Sequence, residues 1–110
     1  MRIWMIGAGP VGTAALRQLR KNEEIEVVVS AATERPHAVT ERVIARVDHV
    51  EAVTPININT LARRIRPDLI LIDSVAVGGF GRVTGGSALS QALLEEMAAA
   101  SEYPCLVIGA

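Results

Sequence analysis

The chain has 110 residues, of which 50% are hydrophobic and 21% are charged, and its formal net charge is -1. A chain of this length and hydrophobicity is expected to fold as one domain around a buried core, which excludes intrinsic disorder. With 3% aromatic residues and no basic excess, it offers neither a stacking surface for bases nor charge to neutralise phosphates, so we expect no nucleic acid partner.

The cysteine and the apolar runs bear on the compartment. Cys105 is the single cysteine, cannot form an internal disulfide, and lies in an apolar run, so we expect a reducing, cytoplasmic location. The apolar run at residues 3–6 is too short for a signal peptide or a membrane span, so we expect a protein that does not insert into membranes. His37 and His49 lack partners at metal-ligand spacing, and no metal site is expected.

Short apolar runs alternate with segments of helical spacing, which is typical of a parallel sheet built from strand–helix–strand units. The final helix is expected to turn Ala92 and Met97 inward, and Asn59 or Thr60 is expected to cap the third helix. In chain order, the sequence predicts a strand at 1–6, a helix at 10–21, a strand at 25–30, a short helix at 36–46, a strand at 49–53, a helix through 66, a strand at 68–73, a helix at 87–100 and a strand at 104–108.

These elements predict an α/β fold, a three-layer doubly wound parallel sheet of about five strands in the order 3-2-1-4-5. Eight of the nine glycines lie in two clusters, at residues 7–12 and 78–86, each after a strongly apolar predicted strand. In a sheet of this order those two strands are neighbours, and the direction of winding reverses between them, where such sheets bind ligands. Both glycine loops are therefore predicted to flank one crevice.

The first cluster is a complete G-x-G-x-x-G motif between a strand and a helix. Gly7 permits the tight turn, Gly9 lets a pyrophosphate approach the backbone, and Gly12 lets the helix pack close to the strand. The helix N-terminus adds unpaired N–H groups for the phosphates. The alternative is a turn that only packs a helix on a sheet. The motif residues, all candidates for cofactor binding, are Gly7, Ala8, Gly9, Pro10, Val11 and Gly12.

In this context the chain resembles the dinucleotide-binding domain of the Rossmann-fold NAD(P)-dependent oxidoreductases, and the resemblance covers all of it. NAD-binding members carry Asp or Glu near the end of the second strand, but here Ser30 is followed by Ala31 and Ala32. Ser30 with Arg35 is similar to the NADP-binding variant, in which an arginine meets the 2′-phosphate, so we expect NADP to be preferred over NAD. Arg35 as a solvated loop charge, or a mononucleotide ligand, would also account for the missing acid.

The resemblance implies that Ser74 and Val75, directly after the fourth strand, line the site near the second ribose and the nicotinamide. The glycine-rich loop that follows is expected either to close over a ligand, with Phe80 as cover and Arg82 as an anion contact, or to be an exposed connection.

Residues 66–73 also look like the strand that carries the phosphorylated aspartate in response-regulator receiver domains. A receiver needs an acidic pair after its first strand to bind magnesium, and this chain has Gly7, Ala8 and Gly9 there. We therefore expect Asp73 to face the crevice or to accept a hydrogen bond from a nearby N–H group.

The sequence thus indicates a cofactor-binding half without a substrate-binding half, and no catalytic residue is predicted. One interpretation is the N-terminal cofactor domain of an oxidoreductase, similar to those of the glucose-fructose oxidoreductase and homoserine dehydrogenase families. The other is a stand-alone nucleotide sensor, similar to the cytoplasmic regulatory domains of potassium transport systems, that acts through a partner subunit or as a homodimer.

Overall fold

The computed structural model describes residues 1–74 and 86–109, and of residues 86–90 the backbone alone. None of the helices in these ranges is long and apolar enough to cross a membrane. The elements are β1 (Arg2–Ile6), α1 (Pro10–Leu19), β2 (Glu26–Ala31), α2 (His37–Thr40), β3 (His49–Val50), α3 (Ile58–Ile65), β4 (Leu69–Asp73), α4 (Gly86–Ala100) and β5 (Cys105–Ile108).

The five strands form one parallel sheet in the order β3-β2-β1-β4-β5. Met5 of β1 lies between Val29 of β2 and Leu71 of β4. The predicted α/β fold and the strand order 3-2-1-4-5 are confirmed. This order is Rossmann-like and differs from the 2-1-3-4-5 order of receiver domains, so the topology contradicts the receiver alternative.

A hydrophobic core lies on each face of the sheet, because successive side chains of β1 point to opposite faces. Trp4 and Ile6 belong to the core beneath α3 and α4, whereas Met5 belongs to the core beneath α1 and α2. The first core also contains Val53, Ile58, Leu61, Ala62, Ile65, Ile70, Ile72, Leu94 and Met97. The second contains Ala8, Leu16, Val29, Ala31, Ala38, Val43 and Val47.

The segment between β2 and β3 is less regular than its spacing predicts. The helix expected at 36–46 is only His37–Thr40, because the amides of Val43 and Ile44 both donate to the carbonyl of Ala38 (2.9 and 3.3 Å) and Arg42 adopts a left-handed conformation with φ 60°. Val43 and Val47, which follow the helical spacing, are still buried as a helix would bury them. The backbone at these two positions is nevertheless not helical.

The strand expected at 49–53 is two residues long. Asp48 continues the pairing with β2 by a side chain, since its Oδ2 accepts a hydrogen bond from Val29 N at 2.8 Å while its own amide donates to Val29 O at 3.0 Å. After Glu51, whose amide donates to Ala31 O at 3.0 Å, the chain turns and buries Val53 in the core.

Two expectations about the later helices are corrected. α3 begins at Ile58 with Asn57 in the N-cap position. Asn59 is not the cap, because its side chain donates to Ala100 O at 2.9 Å and accepts from Glu102 N at 2.8 Å, which ties α3 to the end of α4. In α4, Ala92 is exposed, and the buried residues include Leu94.

Candidate functional site

A cavity of about 380 Å³ lies at the carboxyl ends of β1, β2 and β3. Its volume falls in the range of small-molecule sites, and it lies at the carboxyl edge of the sheet, the edge at which doubly wound folds bind ligands. Its described lining comes from the β1 side of the point where winding reverses and includes no residue of β4; the second glycine cluster, predicted to flank the same crevice, lies mostly outside the described residues. The cavity brings together three residues of the glycine motif and Ser30, as the sequence predicts. The lining residues are Ile6, Gly7, Ala8, Gly9, Ser30, Ala31, Ala32, Thr33, Pro36, His37, Glu51, Ala52 and Val53.

The loop between β1 and α1 is fixed by the strands and the helix around it. Gly7 has φ 85°, a left-handed conformation that costs other residues about 1–2 kcal/mol. Its amide donates to Ser30 O at 2.7 Å, which joins the ends of β1 and β2. The carbonyl of Ala8 accepts from Ala38 N at 3.1 Å and so holds α2 against the loop.

The first turn of α1 presents few free backbone donors. Pro10 has no N–H group, and the amide of Thr13 donates to Gly9 O at 2.8 Å. The amide of Gly12 donates to Asp73 Oδ2 at 2.5 Å. The Val11 amide has no partner among the described residues, and amides in the first turn of a helix point along its axis away from the helix. An anion at this helix end would therefore meet the Val11 amide and the positive end of the helix dipole.

Asp73 explains the third glycine of the motif. Its side chain is fully buried at the end of β4, and the expectation that it accepts a hydrogen bond from a nearby N–H group is confirmed by its contact with Gly12. A Cβ atom on Gly12 would lie 2.6 Å from Asp73 Oδ2 and 3.0 Å from Gly7 O. The same carboxylate offsets part of the positive potential at the N-terminus of α1.

Ser30 lines the cavity but is only 1% exposed. Its hydroxyl oxygen accepts a hydrogen bond of 2.8 Å from Trp4 Nε1, and both side chains are buried. Since the indole N–H of Trp4 has no other route to a partner in an apolar core, this bond satisfies it. Ser30 therefore has a structural role that the sequence did not reveal.

The structure does not bring Arg35 to this cavity. Arg35 lines a separate surface depression together with Glu34 and Arg46. Glu34 and Arg35 leave the lining between Thr33 and Pro36, both of which line the cavity, and Thr33 Oγ1 accepts a hydrogen bond from Arg35 N at 3.4 Å. The cavity is therefore formed without Arg35.

Three other candidate residues, Pro10, Val11 and Ser74, do not line the cavity. Pro10 and Val11 are exposed at the start of α1, and Val11 is 37% exposed. Its side chain packs on Gly109, where a Cβ atom would lie 2.6 Å from Val11 Cγ2. Ser74 is half-buried directly after β4, whereas Val75 and the expected loop contacts of Phe80 and Arg82 lie outside the described residues.

Two ionisable residues of the cavity, His37 and Glu51, were missed by the sequence analysis. His37 opens α2, and its Nε2 lies 3.8 Å from Glu41 Oε1. Arg17 approaches the other oxygen of Glu41 at 3.9 Å. Glu51 comes directly after β3 and lines the cavity beside the end of β2. In the sequence, each of these two residues stands near the end of a predicted helix or strand. Many surface residues share that position, so it does not mark a residue as part of a cavity.

Cys105 does not supply a nucleophile. It lies in β5, and burial raises the pKa of its thiol from 9.0 to about 11, so the reactive thiolate is scarce near neutral pH. The half-buried thiol packs against the core beneath α3 and α4 as a small apolar side chain.

Comparison of the chain with protein-family models, curated proteins and solved structures gives no match. Functional inference therefore depends on the geometry of the site.

Proposed function

We propose that this chain binds a dinucleotide, NAD or NADP, in the cavity at the ends of β1, β2 and β3, as the cofactor domain of an oxidoreductase-like protein. The observation that carries the proposal is the coincidence of Gly7, Ala8 and Gly9 with a cavity at the carboxyl edge of a sheet ordered 3-2-1-4-5.

The groups around the cavity suit the parts of such a ligand. The pyrophosphate would lie at the N-terminus of α1, next to Gly9 and the Val11 amide. Gly9 has no side chain to block the approach, and the Val11 N–H group can donate a hydrogen bond to a phosphate oxygen. The adenosine would lie against the small side chains after β2, which include Ala31, Ala32 and Thr33. The bound cofactor would supply the hydride chemistry, and the residues described here would bind and orient it.

The test is calorimetric titration of the purified protein with NAD, NADH, NADP, NADPH, AMP and ATP, after any ligand carried through purification has been removed. The decisive variant is Gly9→Asp, because the added carboxylate should exclude pyrophosphate by bulk and by charge repulsion. We expect dinucleotide affinity to fall at least about 100-fold.

Ala14→Asp is the matched control, since Ala14 is exposed on the same helix and does not line the cavity. It adds the same charge and should change affinity less than about threefold. Unchanged affinity in a folded Gly9→Asp protein would show that the glycine loop is architectural. Failure of the unaltered protein to bind any of the six ligands would refute the dinucleotide site.

A second candidate, the nucleotide-sensing regulatory domain, is favoured by the two edge strands of the described sheet, β3 and β5, which expose Val50 (48%) and Leu106 (58%). An edge strand offers backbone groups to a partner subunit or to a second copy of the chain. Sedimentation velocity with and without the dinucleotide tests this role, because a sensor should change its assembly size on binding. Turnover of a panel of carbonyl substrates without such a change would favour the oxidoreductase.

A further inference from the structure

The ribose end of the cavity has no carboxylate from β2, since the strand runs through Ser30 to Ala31 and is followed by Ala32 and Thr33. The hydroxyl of Ser30 is engaged by the indole of Trp4. Vicinal ribose hydroxyls need acceptors when they enter a partly apolar cavity, because an unpaired buried hydroxyl weakens binding. An acceptor must therefore come from another element.

The neighbouring strand provides one. β3 pairs with the end of β2 in parallel, with Ala31 opposite Val50. The next residue, Glu51, donates its amide to Ala31 O at 3.0 Å, so its backbone is fixed beside the end of β2. Glu51 lines the same cavity as Ala32 and Thr33, and it also borders a smaller pocket with His49 and Arg64.

The charges around the cavity leave Glu51 available to a ligand. Among the described residues that line it, the ionisable side chains are His37 and Glu51. His37 lies near Glu41, and no ion pair joins Glu51 to any residue that the structure describes. Arg35, the cation expected to meet a 2′-phosphate, lines a different depression.

We propose that Glu51 supplies, from β3, the carboxylate that accepts hydrogen bonds from the ribose hydroxyls of the bound dinucleotide, so that the site selects NAD over NADP. This inference rests on the proposed dinucleotide site and names its selectivity. A carboxylate accepts from both hydroxyls of an unmodified ribose, whereas a 2′-phosphate removes one donor and adds negative charge beside it. The selectivity is the opposite of that expected from Arg35.

The experiment is calorimetric titration of NAD and NADP into the unaltered protein, Glu51→Gln and Glu34→Gln. The unaltered protein should bind NAD at least about tenfold more tightly than NADP. Glu51→Gln keeps the shape of the side chain and removes its charge, so NAD should bind several-fold more weakly, NADP more tightly, and the preference should shrink to about twofold or less. Glu51 is exposed, so the unfolding temperature should stay unchanged.

Glu34→Gln is the matched control, because Glu34 is an exposed acid that follows the neighbouring strand β2 and does not line the cavity. It removes the same charge and should leave the NAD-to-NADP ratio unchanged, which separates a local contact from a general effect of net charge.

Several outcomes would overturn the inference. A ratio unchanged by Glu51→Gln would remove Glu51 from the ribose site, and an equal loss of both ligands would place the carboxylate elsewhere on the adenosine. A preference for NADP that Arg35→Ala abolishes would assign selectivity to Arg35. In these three cases the dinucleotide site stands, whereas binding of neither ligand by the unaltered protein would refute both proposals.

Discussion

Gly12→Ala should destabilise this fold although alanine is the better helix former. The new Cβ atom would lie 2.6 Å from Asp73 Oδ2 and 3.0 Å from Gly7 O, both inside normal contact distance. Asp73 is fully buried and cannot swing into solvent. Either the carboxylate must retreat, which stretches its hydrogen bond with Gly12 N, or α1 must move away from the sheet.

The expected cost follows from these contacts. A hydrogen bond to a charged group contributes about 1.5–3 kcal/mol, and overpacking of a closely packed site costs about 1–3 kcal/mol. The higher helix propensity of alanine returns up to about 1 kcal/mol. We expect the free energy of unfolding to fall by about 2–4 kcal/mol, which lowers the melting temperature by roughly 10 °C for a domain of this size.

Urea denaturation of a double-mutant cycle provides the assay. Gly12→Ala is measured alone and in the Asp73→Ala background, where the carboxylate is absent, and its cost should fall to about 1 kcal/mol. Ala14→Gly, at an exposed position of the same helix, calibrates the helix-propensity contribution at about 1 kcal/mol of destabilisation. Costs of Gly12→Ala that agree within about 0.5 kcal/mol in the two backgrounds would refute the close contact with Asp73.

Two further predictions concern buried groups. Ser30→Ala should lower the free energy of unfolding by about 1–3 kcal/mol because it leaves the Trp4 indole N–H unpaired. Urea denaturation measures this cost, in the unaltered protein and in a Trp4→Phe background that has no indole N–H. An equal loss of unfolding free energy in both backgrounds would contradict the hydrogen bond as the cause. At Cys105, burial raises the pKa of the thiol to about 11, so alkylation at pH 8 should be roughly a hundredfold slower in the folded protein than in denaturant. Because the folded-state pKa is the higher one, the stability linked to this thiol is present below pH 9.0 and lost as the pH rises toward about 11. Urea midpoints across this range should fall more for the unaltered protein than for Cys105→Ala, and identical curves would contradict the shift.

The sequence predicted the sheet well because its strands are continuous apolar runs. β1 and β4 are buried on both faces, so each appears as an unbroken run that ends at the crevice. The glycine motif was located for a related reason, since Gly7 needs a left-handed turn and Gly12 needs room for Asp73. These requirements act on single residues and leave a local signal.

The contacts of α2, of β3 and of the cavity residues that follow β2 and β3 could not be predicted in the same way. Val43 and Val47, which stand at helical spacing in the sequence, are buried. The turn at Arg42, however, depends on hydrogen bonds to the carbonyl of Ala38, and residue spacing carries no signal of those bonds. Arg35 lies close to the cavity in sequence and lines another depression.

The sequence by itself therefore determined the α/β class, the strand order and the glycine-rich turn between β1 and α1, because burial on both faces of a strand and close backbone approach restrict residue type at each position. Only the tertiary structure decided which polar groups meet. Trp4 reaches Ser30 across paired strands, Gly12 meets Asp73 between α1 and β4, and Glu51 arrives beside Ala31. Each contact joins residues at least 20 positions apart in the sequence. The register of the strands and the packing of the helices on the sheet decide which of these distant residues meet.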